Sequence, residues 1–173
     1  LMQSYSSFSR GHLTIGTFPN AAYQGISENI MAFQKLYPKI DVRLIMDHSN
    51  RLIDLLMTQE IDIAILAANE PILKDNDFQY AQLSEDPFVV IVPKNHILNG
   101  RTALQIKDLK NEKIILPQDG SHIRTVIESA LLSEDEQLRL CGQCCSTEGC
   151  VQMVSCGFGI SVTTASAAKV LKN

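Results

Sequence analysis

The sequence predicts an α/β protein that is built as two lobes. Three observations predict it. Short segments rich in Ile, Leu and Val alternate with segments of helical spacing, this alternation occurs twice, and a loop-like stretch at 67–77 separates the two series. Alternating strands and helices indicate a parallel sheet with helices on its faces. The 173 residues are enough for one substantial core or for two small lobes.

The first series reads β-α-β-α-β. The predicted elements are strands at 12–17, 41–46 and 62–66 and helices at 23–37 and 51–59. Ile26, Ile30, Phe33 and Tyr37 lie at helical spacing in the first helix, and Pro38 ends it. This series therefore predicts a three-stranded parallel sheet.

The second series is longer and ends near the last residue given. The predicted elements are strands at 78–83, 88–92, 113–116, 137–144 and 159–163 and helices at 121–132, 147–155 and 165–171. The apolar run 89–92 is typical of a strand that is covered on both faces.

Composition and charge exclude several classes of protein. The formal net charge is -4 and the 15 Lys and Arg residues are scattered, which argues against direct contact with nucleic acid. No apolar run approaches the roughly 20 residues that span a bilayer. Residues 1–10 are polar, lack the apolar core of a signal peptide and are interpreted as a linker remnant. Five cysteines, an odd number, favour a reducing cytoplasm over a disulfide framework.

Polar residues follow four of the predicted strands, each just before a helix. They are Thr17 and Asn20, Ser49, Ser121 with His122, and Ser146 with Thr147. Each hydroxyl or amide taken alone is more often only a helix N-cap. Ligands of open α/β sheets, however, bind at the carboxyl ends of the strands, where helix N-termini favour an anion. If these residues converge in a cleft between the lobes, they predict a site for a small anion or a carboxylate.

The cysteines cluster within 141–156, and two interpretations stay open. They are Cys141, Cys144, Cys145, Cys150 and Cys156. Thiols can bind soft metals or report oxidation, but Cys is also a common small buried hydrophobe. The second interpretation suits Cys150 and Cys156 on a packed helix. Cys144 and Cys145, at a strand end, are predicted to reach the cleft, where His122 would lower a thiol pKa. With Cys141, they are candidate redox residues or supports of the site.

The sequence has one C-x-x-C, from Cys141 to Cys144, but no complete catalytic or metal-binding motif. It has no G-x-S-x-G, Walker loop or H-E-x-x-H, and the cysteine spacing lacks a second C-x-x-C or an H-x-x-x-H. The G-F-G at 157–159 precedes a strand, which is the wrong order for a dinucleotide fingerprint. We therefore expect a protein that is not an enzyme and that has neither a cofactor nor a metal site.

Several motifs resemble the effector-binding domain of LysR-type transcription regulators. They are GHLTIG at 11–16, FQKLYPKIDVRLIMDHSNRLIDLLMTQEIDIAI at 33–65, LSEDPFVVIVPKNH at 83–96 and VQMVSCGFGISVTTASAA at 151–168. The resemblance implies two Rossmann-like lobes of the periplasmic-binding-protein type 2 kind, joined by crossovers near 68–72 and 162–165. Lobe I would comprise 11–70 plus 164–173 and be incomplete at its C-terminal end. Lobe II would comprise 71–163.

The resemblance also implies a function. A small effector would bind in the cleft between the lobes and signal allosterically through a homodimer or tetramer. Promoter DNA would be read by a helix-turn-helix domain outside this chain. Thr17 and Ser49 fall where family members place hydroxyls that contact the effector. We expect the dimer to form through helix 23–37 and a helix of the second lobe, 121–132. The alternatives are a solute-binding protein of a transporter and a thiol-based redox sensor on the same scaffold.

One segment resembles the peroxide sensor OxyR of the same family. It is QDGSHIRTV at 118–126, and His122 stands where the OxyR pattern has its reactive cysteine. Peroxide chemistry at that position is therefore not expected to carry over to this chain.

Overall fold

The computed structural model describes residues 11–67, 78–133 and 139–171. The predicted linker remnant at 1–10 and the predicted crossover at 68–72 lie outside these ranges. The chain divides into two compact units, Leu1–Ile72 and Leu73–Asn173. None of the described helices is long and apolar enough to cross a membrane.

The first unit contains the predicted three-stranded parallel sheet. Its strands are β1 (Gly11–Thr17), β2 (Ile40–Met46) and β3 (Ile63–Ile65), and their order in the sheet is β2-β1-β3. Its helices are α1 (Ile26–Leu36) and α2 (Ser49–Met57). Both strand pairs are parallel, so the predicted β-α-β-α-β order is confirmed. Helix α1 begins three residues later than predicted because a 3-10 helix, Pro19–Gln24, and the left-handed Gly25 precede it.

The core of the first unit lies between α2 and the sheet. Leu52, Leu55 and Ile61 are buried there, and Ile45 of β2 packs against them. A Cβ atom at Gly16 would lie 2.6 Å from Cδ1 of Ile61 and 2.8 Å from Cδ2 of Leu52. The second glycine of the GHLTIG motif therefore lets α2 approach the backbone of β1.

The second unit is a four-stranded mixed sheet with the order β4-β7-β5-β6. Its strands are β4 (Phe88–Ile91), β5 (Lys113–Pro117), β6 (Arg139–Cys144) and β7 (Ile160–Thr164). Its helices are α3 (His122–Ser133), α4 (Thr147–Ser155) and α5 (Ala165–Leu171), with a 3-10 helix at Ile106–Leu109. Strand β5 is parallel to β6 and β7, whereas β4 is antiparallel to β7. Residues 137 and 138 of the strand predicted at 137–144 lie outside the described ranges.

Strand β5 is the centre of this unit because its side chains are buried on both faces. Ile114 and Leu116 belong to a cluster with Ile123 and Ile127 of α3. Ile115 points to the other face, where Cys150 and Val154 of α4 cover it.

One strand prediction is wrong in this unit. Residues 78–87 form neither helix nor strand, so the strand predicted at 78–83 does not exist. Strand β4 lies at an edge of the sheet, where Phe88 is exposed and the three residues after it are only half-buried. Even so, Val90 packs against the cluster on the α3 face and Ile91 against the cluster on the α4 face, so the predicted cover on both faces is confirmed.

Helix α5 is fixed to the segment that precedes β4. The backbone N–H of Ala165 donates to the carbonyl of Pro87 at 2.9 Å, and the N–H of Ser166 donates to Asp86 Oδ1 at 3.0 Å. Packing contacts of α5 with β4 and β7 accompany these bonds. The assignment of 164–173 to the first lobe stays a prediction.

Candidate functional site

In the first unit, two predicted site residues lie at neighbouring strand ends. Thr17 is the last residue of β1 and pairs in register with Met46, the last residue of β2. The N–H of Asp47 then donates to the Thr17 carbonyl at 3.2 Å, and α2 begins at Ser49. The sheet thus brings the positions of Thr17 and Ser49 to one edge. Asn20 follows in the 3-10 helix and is half-buried.

The hydroxyl of Ser49 does not cap α2. The N-cap residue is His48, whose side chain makes no capping bond, and Ser49 Oγ donates instead to the Ala67 carbonyl at 3.3 Å. Thr17 is only 4% exposed, and its hydroxyl donates to the Phe18 carbonyl over a long 3.4 Å. Neither hydroxyl is therefore explained by the ordinary role of an N-cap.

A carboxylate also lies at this edge. Asp47 Oδ1 accepts a hydrogen bond from the backbone N–H of His48 at 2.8 Å, and both residues are half-buried. An anion bound here would meet the negative charge of Asp47. Recognition at this edge therefore has to come from hydroxyl and N–H donors rather than from net positive charge.

In the second unit, three predicted site residues lie at the neighbouring ends of β5 and β6. Pro117 pairs with Cys144, and the N–H of Gln118 donates to the Cys144 carbonyl at 2.9 Å. Ser121 and His122 follow β5, and Thr147 follows β6. The sheet therefore gathers these three positions at one edge.

Helix capping accounts for one hydroxyl of the second unit. Ser146 is the N-cap of α4, and its Oγ accepts from the N–H of Gly149 at 3.1 Å. Thr147 is the first residue of α4 and is buried. Ser121 immediately precedes α3 and is half-buried. The ordinary N-cap role thus accounts for the hydroxyl of Ser146.

His122 is half-buried and uncharged at neutral pH. Burial lowers the pKa of its imidazole below the ordinary 6.5, and the ring of Phe88 lies 6.2 Å away, centroid to centroid. A neutral imidazole donates and accepts hydrogen bonds but supplies no positive charge. His122 can therefore orient a ligand without attracting an anion over distance.

Sequence reasoning missed Arg124, a buried cation at the same strand end. It is 9% exposed and forms ion pairs with Glu128 Oε1 at 2.7 Å and Asp119 Oδ1 at 3.0 Å. It also donates to the Pro117 carbonyl at 3.4 Å. Arg124 thereby holds the turn at Gly120, whose φ is 85°. The signal in the sequence was an Asp-Gly turn before a helix with Arg and Glu four residues apart.

The cysteines do not share one environment. Cys141, Cys145 and Cys156 are exposed, Cys144 is half-buried, Cys150 is buried, and all five thiols are free. The predicted burial of Cys156 is wrong because α4 ends at Ser155. Burial alone lowers the pKa of His122, with no contribution from a thiol. The side chain of Cys144 lies beside Met153 and Cys150. The predicted pairing of His122 with a thiol therefore has no support among these contacts.

An apolar cavity of about 240 Å³ lies elsewhere in the second unit, against α3. It is lined mainly by aliphatic side chains of β4, the 3-10 helix and α3, with Phe88 and Gln105 at its wall. None of the six predicted site residues lines it. The cavity still adjoins the strand end, because Phe88 at its wall lies 6.2 Å from the ring of His122, centroid to centroid.

The family of the chain follows from its sequence. Residues 6–173 match the family described as LysR substrate binding domain. The chain belongs to this family. A transcriptional regulator named YybE from Bacillus subtilis, itself uncharacterized, is 24% identical over 153 residues, which cover 88% of this chain and 51% of the relative. The RuBisCO operon transcriptional regulator of Allochromatium vinosum is 25% identical over 165 residues, which cover 95% of this chain and 53% of the relative.

The LysR-family chain spans about half the length of these curated relatives. Among solved structures, the Synechocystis CcmR regulatory domain in complex with 2-PG is similar with a TM-score of 0.80 and 24% identity, over 92% of this chain and 74% of that one. The effector binding domain of QuiR in complex with shikimate has a TM-score of 0.77 and 22% identity, over 92% and 77%. An OxyR mutant of Corynebacterium glutamicum has a TM-score of 0.76 and 24% identity, over 92% and 49%. These likenesses show the fold of LysR effector-binding domains, of the periplasmic-binding-protein type 2 kind.

Proposed function

We propose that this chain is the effector-sensing domain of a LysR-type transcription regulator. The observation that carries the proposal is the family match over residues 6–173, in a fold that places hydroxyl groups at strand ends of both units. The curated relatives named above are called transcriptional regulators. The domain binds and signals, and it does not catalyse a reaction.

The proposed effector is a small anion or carboxylate. Its ligands are Thr17, Asn20 and Ser49 of the first unit and Ser121, His122 and Thr147 of the second. Helices α2, α3 and α4 begin at these strand ends, and their N–H groups favour negative charge. Two solved relatives, CcmR and QuiR, hold 2-PG and shikimate.

The proposed signal is a change in the equilibrium between two states of the regulator. An effector shifts that equilibrium only as far as it binds one state more tightly than the other. DNA is read by a helix-turn-helix domain of the parent protein, which suits the net charge of -4 on these 173 residues. The regulator works in the cytoplasm, where promoter DNA is found.

The proposed assembly is a homodimer. Helix α1 has no buried residue, and Met31 and Leu36 on it are 54% and 75% exposed. On α3, Leu132 is 80% exposed. We propose that α1 of one protomer packs against α3 of its partner, which removes this apolar surface from water.

A thermal-shift screen tests the proposed effector. Inorganic phosphate, sulfate and a panel of small mono- and dicarboxylates are added to the purified chain, and ligands that bind only the folded state raise its Tm. We expect at least one anion to raise Tm in a concentration-dependent manner, and Ser49→Ala and Ser121→Ala to reduce that shift. The matched control is Ser155→Ala on exposed α4 surface, whose hydroxyl donates to the Val151 carbonyl. A screen in which no anion raises Tm would overturn the anion proposal.

A further inference from the structure

Three sulfur atoms meet where β6 ends and α4 covers it. Cys144 Sγ lies 3.3 Å from Met153 Sδ. Cys144 and Met153 both pack against the buried cluster that contains Cys150. Cys150 and Met153 are three residues apart on α4, so the helix presents both to the same side. The exposed Cys141, Cys145 and Cys156 are not needed for this arrangement.

Two glycines make the close packing of the sulfurs possible. A Cβ atom at Gly142 would lie 2.8 Å from Cε of Met153, so the methyl group of Met153 rests on the bare backbone of β6. A Cβ atom at Gly149 would lie 3.3 Å from Cβ of Cys144. Glycine inside a strand or a helix costs roughly 0.5–1 kcal/mol relative to alanine. Here each glycine provides room for one of the sulfur-bearing side chains.

The surroundings of the three sulfurs are apolar. Ile115 and Val154 are buried beside Cys150, and Ile91 packs against the same cluster. Burial raises the pKa of the Cys150 thiol to about 12, so the thiol is protonated at neutral pH. Cys144 is half-buried, which leaves a route from solvent to the cluster.

The set of donors selects a class of metal ion. Thiolate and thioether sulfurs are soft ligands that prefer Cu(I), whereas Mg²⁺ and Ca²⁺ require oxygen. Structural zinc takes four ligands from Cys, His and carboxylates. In residues 11–67, 78–133 and 139–171 there is no group of three or more His, Cys, Asp or Glu placed to hold a metal. Two thiols and one thioether fit a soft monovalent ion of low coordination number.

We propose that Cys144, Cys150 and Met153 form a binding site for a soft monovalent cation, Cu(I). Binding replaces the two S–H bonds by two Cu–S bonds and releases two protons to solvent, while Met153 donates a lone pair and no electron transfer occurs. The metal would tie α4 to the end of β6, next to Thr147. The site is independent of the proposed effector, since it uses none of the effector ligands.

The test is a competition titration of the reduced chain with Cu(I) under argon, against a chromophoric Cu(I) chelator. We expect about one equivalent to bind, with sulfur as the sole donor type in X-ray absorption. Cys144→Ser and Cys150→Ser should each weaken binding by about 10–100-fold or more, since even residues that only support a metal ligand have effects of this size. Met153→Leu keeps the volume of the side chain and should weaken binding without unfolding the chain. Cys156→Ser is the matched control and should bind like the parent.

Two outcomes would overturn the proposal. One is binding that survives in the Cys144→Ser/Cys150→Ser double variant, because the exposed cysteines would then hold the ion. The other is an affinity that Met153→Leu leaves unchanged while Cys156→Ser weakens it. Neither outcome bears on the thermal-shift screen with anions, so the two proposals fail separately.

Discussion

Arg124 shows how a single residue shapes the end of β5 without serving as a ligand. Its guanidinium is satisfied by Glu128, Asp119 and the Pro117 carbonyl, so its charge is neutralised within the protein. A cation that is already paired with two carboxylates attracts an incoming anion only weakly. Its effect is to fix the turn that places Ser121 and His122.

Replacing Arg124 by Met should destabilise the chain. The variant leaves a buried carbonyl and two carboxylates without their donor, and hydrogen bonds to charged groups contribute about 1.5–3 kcal/mol each at most. Because Asp119 and Glu128 are substantially exposed, we expect a total loss of about 1–3 kcal/mol in the free energy of unfolding. Urea denaturation measures it. Arg101→Met is the control, since Arg101 pairs with Asp108 at the surface and should cost less than about 1 kcal/mol. Equal losses in both variants would contradict this role of Arg124.

His122 should make the stability of the chain depend on pH. Its folded-state pKa lies below the ordinary 6.5, so the unfolded chain takes up the proton first as the pH falls. The stability that the neutral imidazole contributes is therefore present above pH 6.5 and is lost as the pH falls through the folded pKa. His122→Gln should lose less stability than the parent between about pH 7.5 and about pH 5. Urea denaturation at both pH values checks this, with the exposed His12→Gln as a control. A parent and His122→Gln that lose equal stability would contradict it.

At the scale of elements, local pattern predicted most helices and strands because periodicity is a local property. The bounds of α4 agree with the predicted 147–155, and β1 and β5 differ from prediction by one residue each. The strand predicted at 78–83 failed because a strand needs a neighbour to pair with, and alternation within one segment does not supply it. The edge position of strand β4 could not be predicted for a related reason, since it depends on the order of strands that are distant in sequence.

The candidate site residues also differ in whether local sequence could predict their positions. The placement of Thr17, Ser49, Ser121 and Thr147 at strand ends was predictable because strand ends and helix starts are marked in the sequence, and their role as effector ligands stays a prediction. Arg124 was not, since its role depends on Asp119 and Pro117, which the turn at Gly120 brings back toward it. The cluster of Cys144, Cys150 and Met153 was hidden because pattern alone does not show that Gly142 admits the methyl group of Met153.

Gly159 should be intolerant of any side chain because two strands meet there. A Cβ atom would lie 2.2 Å from the carbonyl oxygen of Lys113, where β5 begins beside β7. Because backbone atoms cannot move aside as the end of a flexible side chain can, Gly159→Ala should lower the free energy of unfolding by about 1–3 kcal/mol or more. Gly11→Ala is the control, since nothing lies within 4 Å of a Cβ atom there. Denaturation midpoints compare the two, and a neutral Gly159→Ala would contradict the packing of β5 on β7.

For the whole molecule, the exposed apolar residues say more about self-association than the net charge does. A net charge of -4 on 173 residues disfavours direct contact with DNA, which is itself negatively charged. Helix α1 buries no residue of its own, and helices generally gain most of their stability by packing an apolar face. We therefore expect the exposed apolar residues of α1 to be the surface through which the chain self-associates.

Leu36→Glu should weaken self-association of the chain. If α1 packs against α3 of the partner, the substitution places a carboxylate in the interface, where it loses its contact with water. We expect this to weaken the binding free energy by about 1.4 kcal/mol or more, which is a tenfold rise in Kd. Leu132→Glu on α3 should raise Kd in the same way, because in a two-fold dimer α1 of each protomer packs against α3 of the other. Ile97→Glu is the control, since Ile97 is 85% exposed and lies on neither helix. Sedimentation velocity over a range of concentrations measures Kd. A parent chain that remains monomeric, or an Ile97→Glu variant that dissociates as readily as Leu36→Glu, would place the interface elsewhere or remove it.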